Sequence, residues 1–284
     1  MKTILLCTDM DRTLIPNGAA DESPRARPLF FDLASRPDLK LAYVTGRHKA
    51  LVKQAIRDYS LPEPDYVIGD VGTTLYHVQG NVWRMDQAWR DEIGRDWHGL
   101  KHDTITALLS DIHAPGFELQ DPEKQNQYKI SFYTAASADI GTLDDKISKI
   151  FADNGITANL IWSRDEARNK GLLDILPRRA NKVQAIRFLM DSEKIAADRT
   201  VFSGDSGNDL DALTSGLNAI LVRNAADDVR LAVLDRLAET GGKDCLFLPK
   251  GNFFGLNGNY AAGIIEGLVH FFPETAGWLE SARG

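Results

Sequence analysis

Cysteine is scarce: Cys7 and Cys245 are the two in 284 residues, and no Cys-x-x-Cys spacing occurs. That scarcity excludes a disulfide framework and fits a reducing compartment. Cys7 ends the run Ile4-Leu5-Leu6-Cys7, where a thiol behaves as a small hydrophobe. No apolar run approaches the roughly 18 residues of a membrane span. The N-terminal apolar stretch, about five residues, is too short for the core of a signal peptide. Positive charge is not in excess either: the formal net charge is -7, which removes the usual basis for nucleic-acid or membrane-surface binding. No internal repeat or low-complexity tract is visible. The expectation is a cytoplasmic protein with neither nucleic acid nor membrane as partner.

What is present reads as an ordinary globular chain, with 43% hydrophobic and 26% charged residues. The length suits one large or two modest domains. Short apolar runs at Thr3 to Thr8, Leu39 to Val44, Tyr66 to Ile68 and Thr74 to His77 read as strands. Arg25 to Ala34 and Lys49 to Tyr59 have helical spacing. The rhythm resumes with strands at Leu172 to Leu176, Thr200 to Ser203 and Ala219 to Val222, and helices at Asn181 to Asp191, after Asp209, and at Asn259 to Phe271. Strands alternating with helices predict a Rossmann-like, doubly wound α/β core built on a parallel sheet. The middle third breaks the pattern. It holds Trp83, Trp89, Trp97 and Trp162, a strand-like Tyr128 to Tyr133, and an amphipathic helix carrying Ile140, Leu143, Ile147, Ile150 and Phe151 on one face. An inserted domain at 81–168, between core segments 1–80 and 169–284, is expected.

Four short segments carry chemistry. Asp9-Met10-Asp11-Arg12-Thr13 follows the first strand, where ligands of open α/β sheets bind. Two carboxylates held ~4 Å apart at an effective dielectric of ~20 repel by about 4 kcal/mol, so a cation or a proton must relieve them. A solvated turn or a helix cap is the plainer explanation of such a pair. Ser203-Gly204-Asp205-Ser206-Gly207-Asn208-Asp209 also follows a strand. Asn208 breaks a Gly-x-Ser-x-Gly elbow, and Asp209 alone suits a helix cap equally well. Val44-Thr45-Gly46-Arg47 joins a hydroxyl and a glycine amide to a helix start, a natural phosphate cradle. Lys182, opening a helix, reads singly as a surface lysine. Together the four lie in chain order at strand ends of one sheet. Asp9, Asp11, Asp205 and Asp209 with Lys182, one Mg²⁺ and a proton on Asp11 form a site able to accept a phosphate dianion. All-oxygen ligation suits magnesium and not zinc.

These segments resemble the signature set of the haloacid dehalogenase superfamily. Over most of its length the chain resembles the sucrose-phosphate phosphatase family within it, which carries a Cof-type inserted α+β cap. The residues concerned are Leu41 to Arg47, Glu63-Pro64-Asp65-Tyr66, Val71-Gly72, Lys129-Ile130-Ser131, Asp174-Ile175-Leu176-Pro177, Asn181-Lys182, Gly204 to Asp209, Val222 to Ala225 and Tyr260 to Gly263. The resemblance implies that Asp9 is the nucleophile, that Asp11 is the acid and base, and that Thr45 and Lys182 bind the phosphoryl oxygens with Gly46, Arg47 and Asn208 nearby. It implies Mg²⁺ held by Asp9, Asp11 through its carbonyl, and Asp205, with Asn208 and Asp209 positioning the ligands. Lys129 and Ser131 would hold the sugar. Arg12, Thr74 and Val183 depart from the family pattern, which has a small or uncharged residue, Glu and Gly at those places.

The expected activity is hydrolysis of a sugar phosphate, sucrose 6-phosphate foremost and mannosylfructose phosphate or another glycosyl phosphate as the alternative. A synthase-type glycosyltransferase supplying the substrate is the expected partner. A phosphomutase would need a helical cap between the first two motifs, and residues 14–44 leave little room for it. A non-catalytic homologue would have lost a motif residue, and none is lost.

Overall fold

The computed structural model describes residues 2–165 and 168–280. They divide into two compact units: Met1–Met85 with Lys182–Gly284, and Asp86–Asn181. The divisions fall at 85/86 and 181/182, whereas the sequence pattern placed them at 80/81 and 168/169.

Along the first unit run β1 (Ile4–Thr8), α1 (Ala26–Ala34), β2 (Leu39–Val44), α2 (Lys49–Asp58), β3 (Tyr66–Gly69), β4 (Thr74–Gln79) and β5 (Val82–Met85). The second unit contributes α3 (Gln87–Gly94), α4 (His102–Leu108), β6 (Glu118–Leu119), β7 (Ile130–Ala135), α5 (Ile140–Asp153), β8 (Ala158–Asp165) and β9 (Lys170–Pro177). The chain then returns to the first unit through α6 (Lys182–Glu193), β10 (Thr200–Gly204), α7 (Leu210–Leu213), β11 (Asn218–Leu221), α8 (Asp227–Thr240), β12 (Leu246–Phe247) and α9 (Ala261–Phe271).

The first unit is built on an 8-stranded sheet in the order β12-β11-β10-β1-β2-β3-β4-β5. Pairing is parallel from β12 to β3, and the β4–β5 hairpin adds two antiparallel strands at one edge. Every residue of β1 is buried, as a central parallel strand covered on both faces requires. Ile4 and Leu6 join a cluster with Leu29 and Phe30 of α1, Val52 of α2, and Ile264 and Leu268 of α9. Leu5 and Cys7 alternate to the opposite face and are equally buried. Each such side chain contributes about 2 kcal/mol when withdrawn from water.

The strand at Leu172 to Leu176, expected in the core sheet, belongs instead to the second unit. As β9 it pairs antiparallel with β7 and β8 in a 4-stranded sheet ordered β6-β7-β9-β8. Conversely, Trp83 sits on β5 of the first unit, beneath the ammonium groups of Lys49 and Lys53. Trp89 and Trp97 are fully buried in the second unit, so they fill its core. Helix α5 opens on Asp139, whose carboxylate accepts from the Thr142 amide, and buries Leu143, Ile147 and Phe151. Among the described residues no helix is long and apolar enough to cross a membrane.

Candidate active site

The central parallel strands deliver their carboxyl ends to one crevice of the first unit. Asp9 continues β1, its amide donating to Ser203 O at 2.9 Å. Asp205 stands one residue beyond β10. With Asp209, these carboxylates each offer an oxygen within 4.8 Å of the others, and all three are buried.

Lys182, buried at the start of α6, binds the cluster together. Its Nζ donates to Asp9 Oδ1 at 2.9 Å, to Asp209 Oδ1 at 2.6 Å and to Asn208 Oδ1 at 3.4 Å. An ammonium group has three N–H donors and all three are used. This is the lysine that reads singly as a surface residue; two buried carboxylates draw it in. Burial pushes the Asp9 carboxyl up to about 7, with Lys182 opposing that rise and Asp209 adding to it. Burial lowers the Lys182 pKa, but the charges of Asp9 and Asp209 outweigh it and leave the value raised.

Asp209 both caps and binds. Its Oδ2 accepts from the amides of Asp205 and Ser206 at 3.2 and 3.3 Å and completes a capping box with Ser206, while Oδ1 takes Lys182. Both oxygens are therefore engaged, which suits a positioning role. Gly204 makes the turn possible, since a Cβ there would lie 2.7 Å from Asp209 Cβ and Cγ. Asp205 accepts from Thr13 Oγ1 at 3.1 Å through Oδ1, and its Oδ2 lies 3.3 Å from Arg12 Nε. Burial raises its pKa, against Arg12.

Thr45, at the end of β2, is buried; its amide donates to Ile68 O at 2.8 Å and its hydroxyl accepts from the Arg47 amide at 3.2 Å. Gly46 is exposed beside it. Arg47 is turned to Asp11: Nε donates to Oδ2 at 2.7 Å and Nη2 to Oδ1 at 2.6 Å, a bidentate pair joined by Asn17 Nδ2 at 2.7 Å. Burial favours the neutral form of Asp11, but the bonds and charge of Arg47 hold it below the usual carboxylate range. The proton expected on Asp11 is therefore disfavoured while this pair stands.

Asp9, Asp11, Thr45, Gly46, Arg47, Lys182, Asp205, Asn208 and Asp209 all belong to the first unit. Lys129 and Ser131 lie on β7 of the second. There Lys129 Nζ is 3.7 Å from Asp174 Oδ2, and Ser131 Oγ donates to Asp174 Oδ1. In the sequence Asp174 stands in an expected core strand and among the residues of the family resemblance, with no role of its own. Arg12, Thr13 and Asn17 were given no role in the sequence, although the regular spacing Asp9, Asp11, Thr13 carried the signal for Thr13. Asn224, part of the resemblance but given no role there, joins them: its Nδ2 donates to Arg12 O at 2.6 Å and its Oδ1 accepts from the Tyr260 amide at 2.8 Å. Segment 252–259 holds the loop that follows Asp9, Asn257 and Asn259 both donating to Asp21 O.

A doubly wound core with an inserted antiparallel α+β unit, with paired acids at its strand ends and a buried lysine at the start of a helix between them, defines a phosphoric monoester hydrolase of the haloacid dehalogenase class. Residues 2–272 match the family described as sucrose-6F-phosphate phosphohydrolase. The chain belongs to that family, a family of sugar-phosphate phosphatases. A HAD-like hydrolase of Nitrosococcus oceani is 52% identical over 280 residues, covering 99% of this chain and 75% of that protein. The mannosylfructose-phosphate phosphatase of Agrobacterium fabrum is 28% identical over 268 residues, 94% of this chain and 96% of its own length. The structure of the sucrose-phosphatase from Synechocystis sp. with sucrose and phosphate is similar with a TM-score of 0.69 and 26% identity, over 96% of this chain and 99% of that one.

Proposed function

We propose that the chain hydrolyses sucrose 6-phosphate to sucrose and phosphate in a magnesium-dependent reaction that passes through an aspartyl-phosphate on Asp9. The observation that carries this reading is the buried Lys182 ammonium bridging Asp9 and Asp209, beside the carboxylate of Asp205. An ammonium so placed orients the nucleophilic carboxylate and lies where charge grows on a transferring phosphoryl group. The oxygen-only donor set of Asp9 and Asp205 fits a hard divalent cation, with the Asp11 carbonyl as a further ligand. Mg²⁺ bound there would neutralise the carboxylates and draw charge from the phosphoryl oxygens.

In the first half-reaction an Asp9 oxygen attacks phosphorus and the bond from phosphorus to the sugar oxygen breaks. Asp11 gives its proton to that oxygen. In the second half-reaction Asp11 takes a proton from water, and the water oxygen displaces Asp9 from phosphorus. The Thr45 hydroxyl, the Gly46 amide and Lys182 hold the phosphoryl oxygens. Arg47 joins them only by leaving Asp11, and the exchange favours the protonated form that Asp11 needs as an acid. Asn208 and Asp209 keep Lys182 and Asp205 in place. Lys129 and Ser131 hold the sugar, and a synthase-type glycosyltransferase supplies it as the phosphate.

Mannosylfructose phosphate is the second reading. Thr74 is the reason to keep it, because this buried residue, with its hydroxyl donating to Asp70 Oδ2 at 3.2 Å, stands where the family pattern has Glu and so departs from the sucrose pattern without selecting another sugar. A phosphate-release screen over disaccharide and monosaccharide phosphates, with and without Mg²⁺, separates the two. Faster release from sucrose 6-phosphate than from mannosylfructose phosphate and simple hexose phosphates is expected. Equal rates on all of them would overturn the sucrose assignment.

A further inference from the structure

Arg12 is the one charged residue at this site to which neither the fold nor the phosphatase reading gives a task. Its backbone takes a positive φ of 58°, a conformation costly for a side-chain-bearing residue. Two bonds hold it there: its amide donates to Asn17 Oδ1 at 2.8 Å and its carbonyl accepts from Asn224 Nδ2 at 2.6 Å. The side chain is 57% exposed, yet Nε lies 3.3 Å from Oδ2 of an Asp205 that is only 6% exposed. An exposed cation is thus set against a buried carboxylate that the phosphatase reading needs as a metal ligand.

The charges define the consequence. Asp9, Asp11, Asp205 and Asp209 carry -4 when ionised, and Lys182, Arg47 and Arg12 supply three positive charges, leaving -1. The cluster is almost neutral without any ion. A divalent cation at Asp9 and Asp205 would bring it to +1 and would share the Asp205 carboxylate with the Arg12 guanidinium. Two cations on one carboxylate repel each other. The guanidinium has solvent to move into, whereas Asp209 is held at both oxygens, by Lys182 at Oδ1 and by the Asp205 amide at Oδ2.

We propose that Arg12 is a built-in competitor for the divalent-cation site. It holds Asp205 when no ion is bound, is displaced when one binds, and then pairs with the phosphate dianion. Cation and phosphate therefore bind with positive coupling. This rests on the reading of Asp9 and Asp205 as metal ligands.

The test is calorimetric titration of metal-stripped protein with Mg²⁺, then of Mg²⁺-saturated protein with inorganic phosphate, for the wild type, Arg12→Gln and Arg12→Ala. Both variants should bind Mg²⁺ about tenfold more tightly than the wild type and phosphate about tenfold more weakly. Phosphate should tighten Mg²⁺ binding in the wild type and lose most of that effect in the variants. Arg12→Gln keeps a long polar side chain, and thermal melting in chelator shows whether each variant is folded. Unchanged or weaker Mg²⁺ binding in a folded variant overturns the inference, while a magnesium-dependent phosphatase activity in the same preparation leaves the functional reading standing. Absence of Mg²⁺ binding in all three proteins overturns both.

Discussion

At the scale of the residue, the site is a problem of buried charge solved by pairing. Every acid has a partner: Lys182 serves both Asp9 and Asp209, Arg12 and Thr13 serve Asp205, and Arg47 and Asn17 serve Asp11. Asp9 is the least compensated, and its pKa stands raised at about 7. A carboxyl whose pKa rises on folding adds stability while it is protonated, below about pH 4, and loses that contribution as pH climbs through about 7. In chelator, the wild type should therefore lose on the order of 2 kcal/mol between pH 5 and 8 that Asp9→Asn does not lose. Urea unfolding of both proteins at the two pH values measures it, and parallel losses would refute the burial account. The acids themselves were legible from their places at strand ends. So was Lys182 once the four segments were taken together, but the pairing of Arg47 with Asp11 was not, because it spans 36 residues and no local pattern announces such a contact.

At the scale of the element, the carboxyl end of β10 and the turn after it determine the geometry of the site. Gly204 lets the Asp209 side chain fold back against the strand, and the capping box then fixes Asp205 and Ser206. Gly204→Ala should cost about 2 kcal/mol by overpacking and lower the affinity for Mg²⁺, both readable from urea unfolding and calorimetry. A variant with the wild-type midpoint and affinity would show that the close approach is unimportant. Parallel core strands were readable as continuous apolar runs, and β1, β2 and β10 lie within a residue of their expected bounds. The strand β9 misled for the same reason. Its Leu172-Leu173-Asp174-Ile175-Leu176 looks like a doubly buried strand, but Leu173 and Ile175 are fully buried while Leu172 and Asp174 are only partly so. That alternation marks a sheet with one covered face. The edge strand β5 escaped notice because Val82, Arg84 and Met85 are exposed and carry no apolar period.

At the scale of the whole molecule, an acidic protein of net charge -7 concentrates cationic side chains where a dianion must bind. The residues proposed as nucleophile and phosphate-binding groups, Lys182 among them, belong to one unit, and those proposed to recognise the sugar to the other. This division makes binding of the sugar separable from the chemistry. Lys129→Ala should raise KM for a disaccharide phosphate about tenfold while leaving kcat for a small aryl phosphate within about twofold. Equal losses on both substrates would contradict the assignment of Lys129 to the sugar. The inserted second unit was visible in outline from the interrupted strand–helix rhythm. The exact partition was not, because the chain returns to the first unit at Lys182, directly after a strand of the second.

The central claim is that Asp9 attacks phosphorus with Lys182 and a divalent cation beside it. Phosphate release from sucrose 6-phosphate by Asp9→Asn in saturating Mg²⁺, compared with the wild type at equal folded concentration, tests it most directly. A fall of at least about a thousandfold is predicted, since an amide of the same shape cannot form the acyl phosphate. Turnover near the wild-type rate in the folded variant would contradict it.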